Sequence, residues 1–395
     1  MAGALDGLKI LDLTRVLAGP YTTMVLADMG ADVIKIEEPT KGDDSRQYGP
    51  FIGTESAYFM SLNRDKKSMT LNLKAEKGKE IFKRLVEQAD VVVENYRPGT
   101  MEKLGLSYDV LKEINPRLIF AACSGFGQTG PDRHKPAYDI IVQGAGGLMG
   151  ITGYPDGPPT RVGASVGDIT AGLFTAIGIL TALHARTVSG VGQMVDVSML
   201  DCQVAILENA IARYAVTGEV PGRIGNHHPS ITPFDVIKTK KHHVIIAIGN
   251  DSLWVKLCDV LGIPDVAEDP RFLTNADRTK NRAYLYPILE AGFLKKTAKE
   301  WLRVLEKAGI PCGPVNRIDE IMNDPQVKAR DMIIELEHPV AGKLKMPGTP
   351  IKLSETPGSI VEPAPLLGEH TFEILGDMLG MTEEEILALK EEKVL

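Results

Sequence analysis

Between residues 8 and 125, short β-branched runs alternate with segments whose apolar residues recur every three or four positions. LKILDLT, ADVIKIEEP, KSMTLNLK, DVVVENY and RLIFAAC read as strands, and YTTMVLADMG, GKEIFKRLVEQA and YDVLKEI as the helices between them. That rhythm predicts βαβ units around a mostly parallel sheet, with ligands expected beyond the carboxyl ends of the strands. Arg15, Asn95, Arg97 and Ser124 all fall just past such ends.

Residues 143–168, QGAGGLMGITGYPDGPPTRVGASVGD, hold too many glycines for a regular element and are expected to turn repeatedly before a helix at 169–186. A second helical stretch spans about 196–217, and TGEVPGRIGNHHPS after it reads as a connection. Beyond it the period changes. FDVIKTKKHHVIIAIG has the pattern of an antiparallel hairpin, followed by helices around SLWVKLCDVLG and AKEWLRVLEKAG. A second hairpin pattern, MIIELEHPVAGKLKMPGTPIKLS, precedes a Pro-rich stretch and the acidic helix MTEEEILALKEEKVL. The expected fold class is α/β: a Rossmann-like large domain with a mostly parallel sheet, plus a smaller α+β domain. The large domain covers residues 1–200 and is completed by 331–395; 201–225 form a linker and 226–330 the small domain.

A chain of 395 residues is long enough for two domains, and 24% charged with 44% hydrophobic residues fits a globular protein. A net charge of −8 argues against nucleic acid as a partner, since that binding needs a broad cationic face. Cys123, Cys202, Cys258 and Cys312 form no C-x-x-C pair and no histidine lies at metal-ligand spacing, so free thiols, no metal and a cytoplasmic location are expected. The N-terminal residues lack the pattern of a signal peptide. The longest apolar run, AGLFTAIGILTAL, has 13 residues, too few to span a bilayer, and reads as a buried helix. No membrane association is expected.

After the first strand comes RVLAGPY, with no G-x-G-x-x-G, which leaves a nicotinamide or flavin dinucleotide poorly supported. Asp168 follows Gly167 at the start of the helix ITAGLFTAIGILTALHAR. One reading is an N-cap, worth about 1 kcal/mol. The other is a nucleophile, because the surrounding glycines let a large ligand approach closely. With an ordinary pKa of about 3.9 the carboxylate is ionised at neutral pH and needs no general base. It can attack a thioester carbonyl to give a mixed anhydride, and the expelled thiolate can return to give an aspartyl thioester. Helix N-terminal amides and glycine N–H groups are suited to the developing oxyanion. The two roles are compatible.

In order along the chain, LDLTRVLAGPY, ADVIKIE, VVVENYRPGT, CSGFGQTGP, DGPPTRVGASVGD, SGVGQMVDVSM, AGIPCGPV and APLLGEHT match segments of one family. The chain resembles the class III CoA-transferases, whose members include formyl-CoA:oxalate and carnitine CoA-transferases and, as a side branch, α-methylacyl-CoA racemases. The resemblance implies that Asp168 is the nucleophile. It also implies CoA contacts from Leu17 and Ala18, from Leu71 and Lys74, from Asn95, Tyr96 and Arg97, from Lys103 and from Ser124, with Tyr138 and Asp139 bordering the thioester. No permanently bound cofactor is implied; coenzyme A and acyl-CoA are substrates, with a small carboxylic acid as the second partner. Interlocked homodimers are implied as well. Lys74, Arg97 and Lys103 are physically suited to CoA, whose phosphates carry about four negative charges, each cation at 4 Å contributing about 4 kcal/mol. Tyr96 can flank the adenine or simply pack.

Some positions depart from the family. Glu38 and Pro39 stand where some relatives place an arginine for the nucleotide, and Ser124 where the formyl-CoA enzyme has a lysine. The short NHHPSITPF replaces that enzyme's glycine-run loop. Formate and oxalate are therefore disfavoured, and succinyl-CoA with a small dicarboxylate is expected. His227 and His228 in this segment are either plain surface residues or ligands of the acceptor's free carboxylate. A racemase is the alternative enzyme, but its histidine is replaced by Tyr138 in AYD, and a phenol of pKa about 10 is a poor base at pH 7. A non-catalytic CoA-binding scaffold is the alternative outside catalysis.

Overall fold

In the computed structural model, which describes residues 3–395, the five predicted runs become strands and a sixth joins them. They are β1 (Lys9–Asp12), β2 (Asp32–Glu37), β3 (Lys66–Thr70), β4 (Val91–Glu94), β5 (Ile119–Ser124) and β6 (Met194–Ser198). The order is β3-β2-β1-β4-β5-β6 with every neighbouring pair parallel. β6 has only five residues of mixed burial, and no periodicity distinguished it from the helical stretch that follows.

Successive residues of the central strands serve opposite faces, as the two-residue period of a strand requires. On one face Leu11, Ile34, Met69, Val92 and Phe120 pack against Ile81, Phe82, Leu85 and Val86 of α2 (Glu76–Val86) and Leu111 of α3 (Tyr108–Ile114). On the other, Ile10, Val33, Val91, Val93 and Ile119 meet Leu26 and Ala27 of α1 (Ala18–Ala27). Two further helices complete the region of interest: α4 (Asp139–Ala145) and α5 (Val166–Ser189). Ala176, Ile179 and Ala182 of α5 cover the second face.

α5 is longer and less buried than its sequence predicted. It has 24 residues, long and apolar enough by composition to cross a membrane. Yet one face lies on the sheet, and Arg186 near its end is 9% exposed and paired with Asp90 at 2.8 Å. The opposite face, with Leu173, Phe174, Ile177 and Leu180, is exposed. The helix also begins at Val166, earlier than predicted, and residues 139–145 and 148–151 of the glycine-rich region are helical.

The edge strand β3 is covered by the C-terminal segment. The Gly368 amide donates to Ser68 Oγ at 2.9 Å, the His370 amide to the Ser68 carbonyl at 2.9 Å, and the Thr70 amide to Thr371 Oγ1 at 3.1 Å. APLLGEHT thus satisfies an edge that would otherwise present unpaired donors.

The chain divides into two compact units. The larger comprises residues 1–148, 161–211 and 325–395, and the smaller 149–160 and 212–324. The stretch expected as a linker, 201–225, is helical at Met199–Ala205 and Asn209–Thr217, and residues 149–160 join the smaller unit. In that unit Phe234–Lys238, His243–Ala247 and Cys312–Pro314 form an antiparallel sheet, over which Trp254, Phe272, Phe293 and Trp301 are buried.

Where α1 and α5 cross, a Cβ on Gly172 would stand 2.7 Å from the carbonyl oxygen of Ala18. Thr22 Oγ1 donates to both the Ala18 and the Gly172 carbonyls at 3.0 Å, which locks that approach. Alanine ordinarily gains about 1 kcal/mol over glycine inside a helix. Here the backbone clash outweighs that gain, and Gly172→Ala is expected to destabilise the fold by about 1–3 kcal/mol, the usual cost of overpacking. Urea unfolding followed by circular dichroism measures it; a stabilised variant would refute the close contact.

Candidate functional site

The strand order reverses between β1 and β4, so the chain leaves these neighbours toward opposite faces and a crevice opens beyond their carboxyl ends. A cleft of about 190 Å³ lies there in the larger unit. Arg15 to Ala18 line it from the turn after β1, Asn95 to Pro98 from that after β4, and Cys123 to Gly125 from the end of β5. Lys135 to Tyr138 enter before α4, Asp168 from the first turn of α5, and Asp44, Tyr48 and Met199 complete the wall. Eight predicted residues are therefore brought together: Leu17, Ala18, Asn95, Tyr96, Arg97, Ser124, Tyr138 and Asp168.

Others fall outside the wall. Leu71 is 2% exposed in the core beneath the sheet, so its side chain is a packing group. Lys74 is exposed on the turn after β3 and Lys103 at the end of the short helix Thr100–Lys103, and neither lines the cleft. Asp139 is 7% exposed; its Oδ1 accepts from the Gly167 amide at 2.8 Å and its Oδ2 from Gln143 Nε2 at 2.7 Å. It holds the start of α5 from behind. Within the smaller unit, His227 pairs through Nδ1 with Asp235 and stands edge-on to Tyr286 at 4.8 Å. His228 accepts from the Ser230 amide at 3.1 Å and lies against Phe234. Both rings have partners and are more than bare surface residues.

Asp168 is the third residue of α5 rather than its N-cap, which is Ser165. Among the described residues its carboxylate accepts no hydrogen bond and forms no ion pair, whereas Asp12, Asp28, Asp43 and Asp139 are all engaged. Burial, reinforced by the charge of Asp139, pushes its pKa up to about 7. The positive end of the α5 dipole opposes this by about 1 kcal/mol or less and does not cancel it. The ordinary carboxylate value expected from the sequence is therefore displaced in the fold, and burial shifts Asp168 toward its protonated form.

The remaining polar groups supply charge and shape. The Arg15 guanidinium is half exposed, 3.3 Å from Asp44, and 5.5 Å from the centre of the Tyr96 ring. The Tyr96 ring packs against the core with Arg15 near it and also lines the cleft. Ser124 Oγ accepts from the Gly127 amide at 3.0 Å and closes the turn after β5. Sequence reading missed Lys135, Tyr48 and Tyr58. Tyr58 is pushed up to about 12 by burial and by the charge of Asp168, and its ring stands edge-on to Tyr48 at 5.6 Å. Tyr48 follows a single 3-10 turn and Tyr58 lies in the one-turn helix Ala57–Met60, elements too short for any period to mark a residue as inward-facing.

Fold and cleft together define a doubly wound α/β protein with an aspartate and several cations gathered at its topological switch point, a class suited to anionic ligands. The chain belongs to CoA-transferase family III, whose model matches residues 5–371. It is 50% identical over 353 residues to the acetyl-CoA:oxalate CoA-transferase of Acetobacter aceti, covering 89% of this chain and 90% of that protein. It is 41% identical over 381 residues to the succinate–glutarate CoA-transferase of Agrobacterium fabrum, covering 95% of each. A CAIB/BAIF family protein from Brucella suis superposes with a TM-score of 0.86 at 40% identity, over 96% of this chain and 100% of that one. The protein is accordingly an enzyme of the CoA-transferase type, with CoA thioesters and carboxylic acids as substrates.

The raised pKa of Asp168 has a consequence for stability. Its folded value of about 7 lies above the ordinary aspartate value of 3.8, so the stability it confers is full below about pH 4 and is lost as pH rises through 7. An asparagine in its place does not titrate. Asp168→Asn should therefore match the parent near pH 4 and exceed it at pH 8 by on the order of 2 kcal/mol, the full linkage value being discounted for partial exposure. Thermal unfolding of both proteins across pH 4–8 measures this, and parallel curves would refute it.

Proposed function

We propose that the enzyme carries CoA from an acyl-CoA to a free carboxylic acid through covalent intermediates on Asp168. The observation that carries this reading is a carboxylate in the first turn of α5, on the wall of the cleft, without any hydrogen-bond or ion-pair partner among the described residues. A purely structural aspartate would be expected to cap or pair.

The steps balance without a net proton. An Asp168 carboxylate oxygen attacks the thioester carbonyl, the C–S bond breaks, and an acyl-aspartyl anhydride forms as the CoA thiolate leaves. The thiolate then attacks the aspartyl carbonyl, releasing the donor acid and leaving an aspartyl-CoA thioester. The acceptor carboxylate attacks that thioester to form a second anhydride and free the thiolate. Attack of the thiolate on the acceptor's carbonyl gives the new acyl-CoA and regenerates Asp168. Only the ionised aspartate attacks, so the first step slows as pH falls through 7. Arg15, Arg97 and Lys135 on the cleft wall favour anionic substrates.

Succinyl-CoA is proposed as donor and a small dicarboxylate as acceptor. The names of the relatives support this, and the Acetobacter protein returns oxalate to the candidates that Ser124 and the short NHHPSITPF segment had weighed against. The exposed apolar face of α5, with Ile177 57% exposed, supports a homodimer in which a second copy covers it; interlocking rests on the family resemblance. Four unpaired cysteines support the cytoplasm as its compartment.

Incubation with succinyl-CoA should yield a covalent adduct on Asp168, visible in the intact mass and removed by hydroxylamine, and Asp168→Ala should reduce CoA exchange at least a thousandfold. Exchange by that variant at the parent rate would end the proposal. Comparing succinate, glutarate, mesaconate and oxalate as acceptors ranks the substrates. Light scattering should give twice the chain mass for the parent and a smaller species for Ile177→Asp; a parent of single-chain mass would refute the dimer.

A further inference from the structure

The turn after β1 contains a backbone outlier. Val16 has a φ of 70°, in the left-handed region that a β-branched residue strongly disfavours, and it lines the cleft between Arg15 and Leu17. Such a conformation persists only where its surroundings over-determine it, and here they do so from two sides. From β4, Asn95 grips the residue before: its Oδ1 accepts from the Arg15 amide at 2.9 Å and its Nδ2 donates to the Arg15 carbonyl at 2.8 Å. From beyond β2, Asp43 Oδ1 accepts from the Val16 amide at 3.0 Å.

Asp43 is itself anchored by a buried charge. Lys35 Nζ lies 2.9 Å from Asp43 Oδ2, both side chains are fully buried, and the same ammonium donates to the Thr14 carbonyl at 2.8 Å. Lys35 therefore touches the turn at residue 14 and, through Asp43, at residue 16. The chain emerging from this turn is Leu17 and Ala18, which line the cleft and begin α1.

We propose that Asn95 and the Lys35–Asp43 pair are positioning residues that hold Val16 in its left-handed conformation, so that Leu17 and Ala18 face the cleft in the geometry that binds the CoA thioester. This rests on the reading of the cleft as the thioester site. It adds to the role of Asn95, which the family resemblance makes a direct CoA contact: each end of its amide bonds the backbone of Arg15, so it also acts through the turn. Releasing the clamp lets Val16 relax toward negative φ and turns the following amides away. A glycine at position 16 occupies φ near 70° without penalty and depends far less on the clamp.

The test is a double-substitution cycle on the full-length enzyme with Asn95→Ala, Val16→Gly and the two combined, reading the Kd for CoA by calorimetry and the kcat and KM for succinyl-CoA exchange. Asn95 lies at a solvent-accessible turn, and circular dichroism with thermal unfolding establishes that each variant is folded. Asn95→Ala should weaken CoA binding at least tenfold in the parent background and threefold or less when residue 16 is glycine. Equal losses in both backgrounds would overturn the proposal, because a direct contact or a general structural defect does not depend on residue 16; so would an Asn95→Ala variant that binds CoA as the parent does. The Asp168 adduct, followed by mass in the same parent sample, separates the two levels. Its absence sinks the reading of the cleft and this proposal with it, whereas its presence together with additive losses sinks the proposal alone.

Discussion

The site depends on the reversal of strand order between β1 and β4. Two parallel neighbours that send the chain to opposite faces leave a gap at their carboxyl ends, and the backbone groups around that gap must find partners. The Asn95 amide bridges it to Arg15, and the two turns then form opposite walls of one cleft. α1 and α5 pack on the same face of the sheet, and their crossing at Gly172 brings the first turn of α5 beside the turn after β1. Asp168 reaches the cleft because glycine lets those two helices approach so closely.

Beneath the cleft lies an unusual amount of buried charge. Lys66 and Asp12 are both fully buried and 3.2 Å apart, and Asp12 also accepts from the hydroxyl of Thr23 at 2.6 Å. Burial pulls Lys66 down to about 8, with Asp12 resisting, while burial alone would raise Asp43 but Lys35 holds it at about 2. Removing two charges from water costs several kcal/mol per ion, which their attraction in a low dielectric roughly offsets. These pairs are therefore weak sources of net stability. What they provide is direction: an apolar pair of equal volume would fill the space without telling the turn at residues 14–16 where to point. Asp168 is the contrasting case, a partly buried carboxylate with no cation bound to it among the described residues, and its pKa rises accordingly.

The same contrast separates structural from chemical carboxylates along the sheet. Asp139, one helix away from Asp168, spends both oxygens on Gly167 and Gln143. Its remaining effect on the cleft is through charge and through the placement of the α5 N-terminus. The two aspartates thus differ in whether protein donors reach them, with Asp139 buried and bonded and Asp168 partly buried and unbonded among the described residues.

Much of this was legible along the chain. Five strands and their helices follow from alternation and three-to-four spacing, because each element is chosen largely by which of its own residues face the core. The glycine frame around Asp168 and the ends of β1, β4 and β5 likewise marked where a ligand belongs. Other features were invisible because they arise from contacts between residues far apart in sequence. Leu71 looks like a ligand by position and is a core residue by packing, while Tyr48 and Tyr58 belong to elements of a single turn, too short to carry a period. The short β6 is a strand only because β5 is there to pair with it. The protonation of Asp168, the occupied amide of Asn95 and the bare outer face of α5 are decided by burial and neighbours, and these exist only once the sheet has assembled. Local side-chain chemistry chose the elements and the reactive group; long-range packing chose which groups meet, which are paired and which are left free to react.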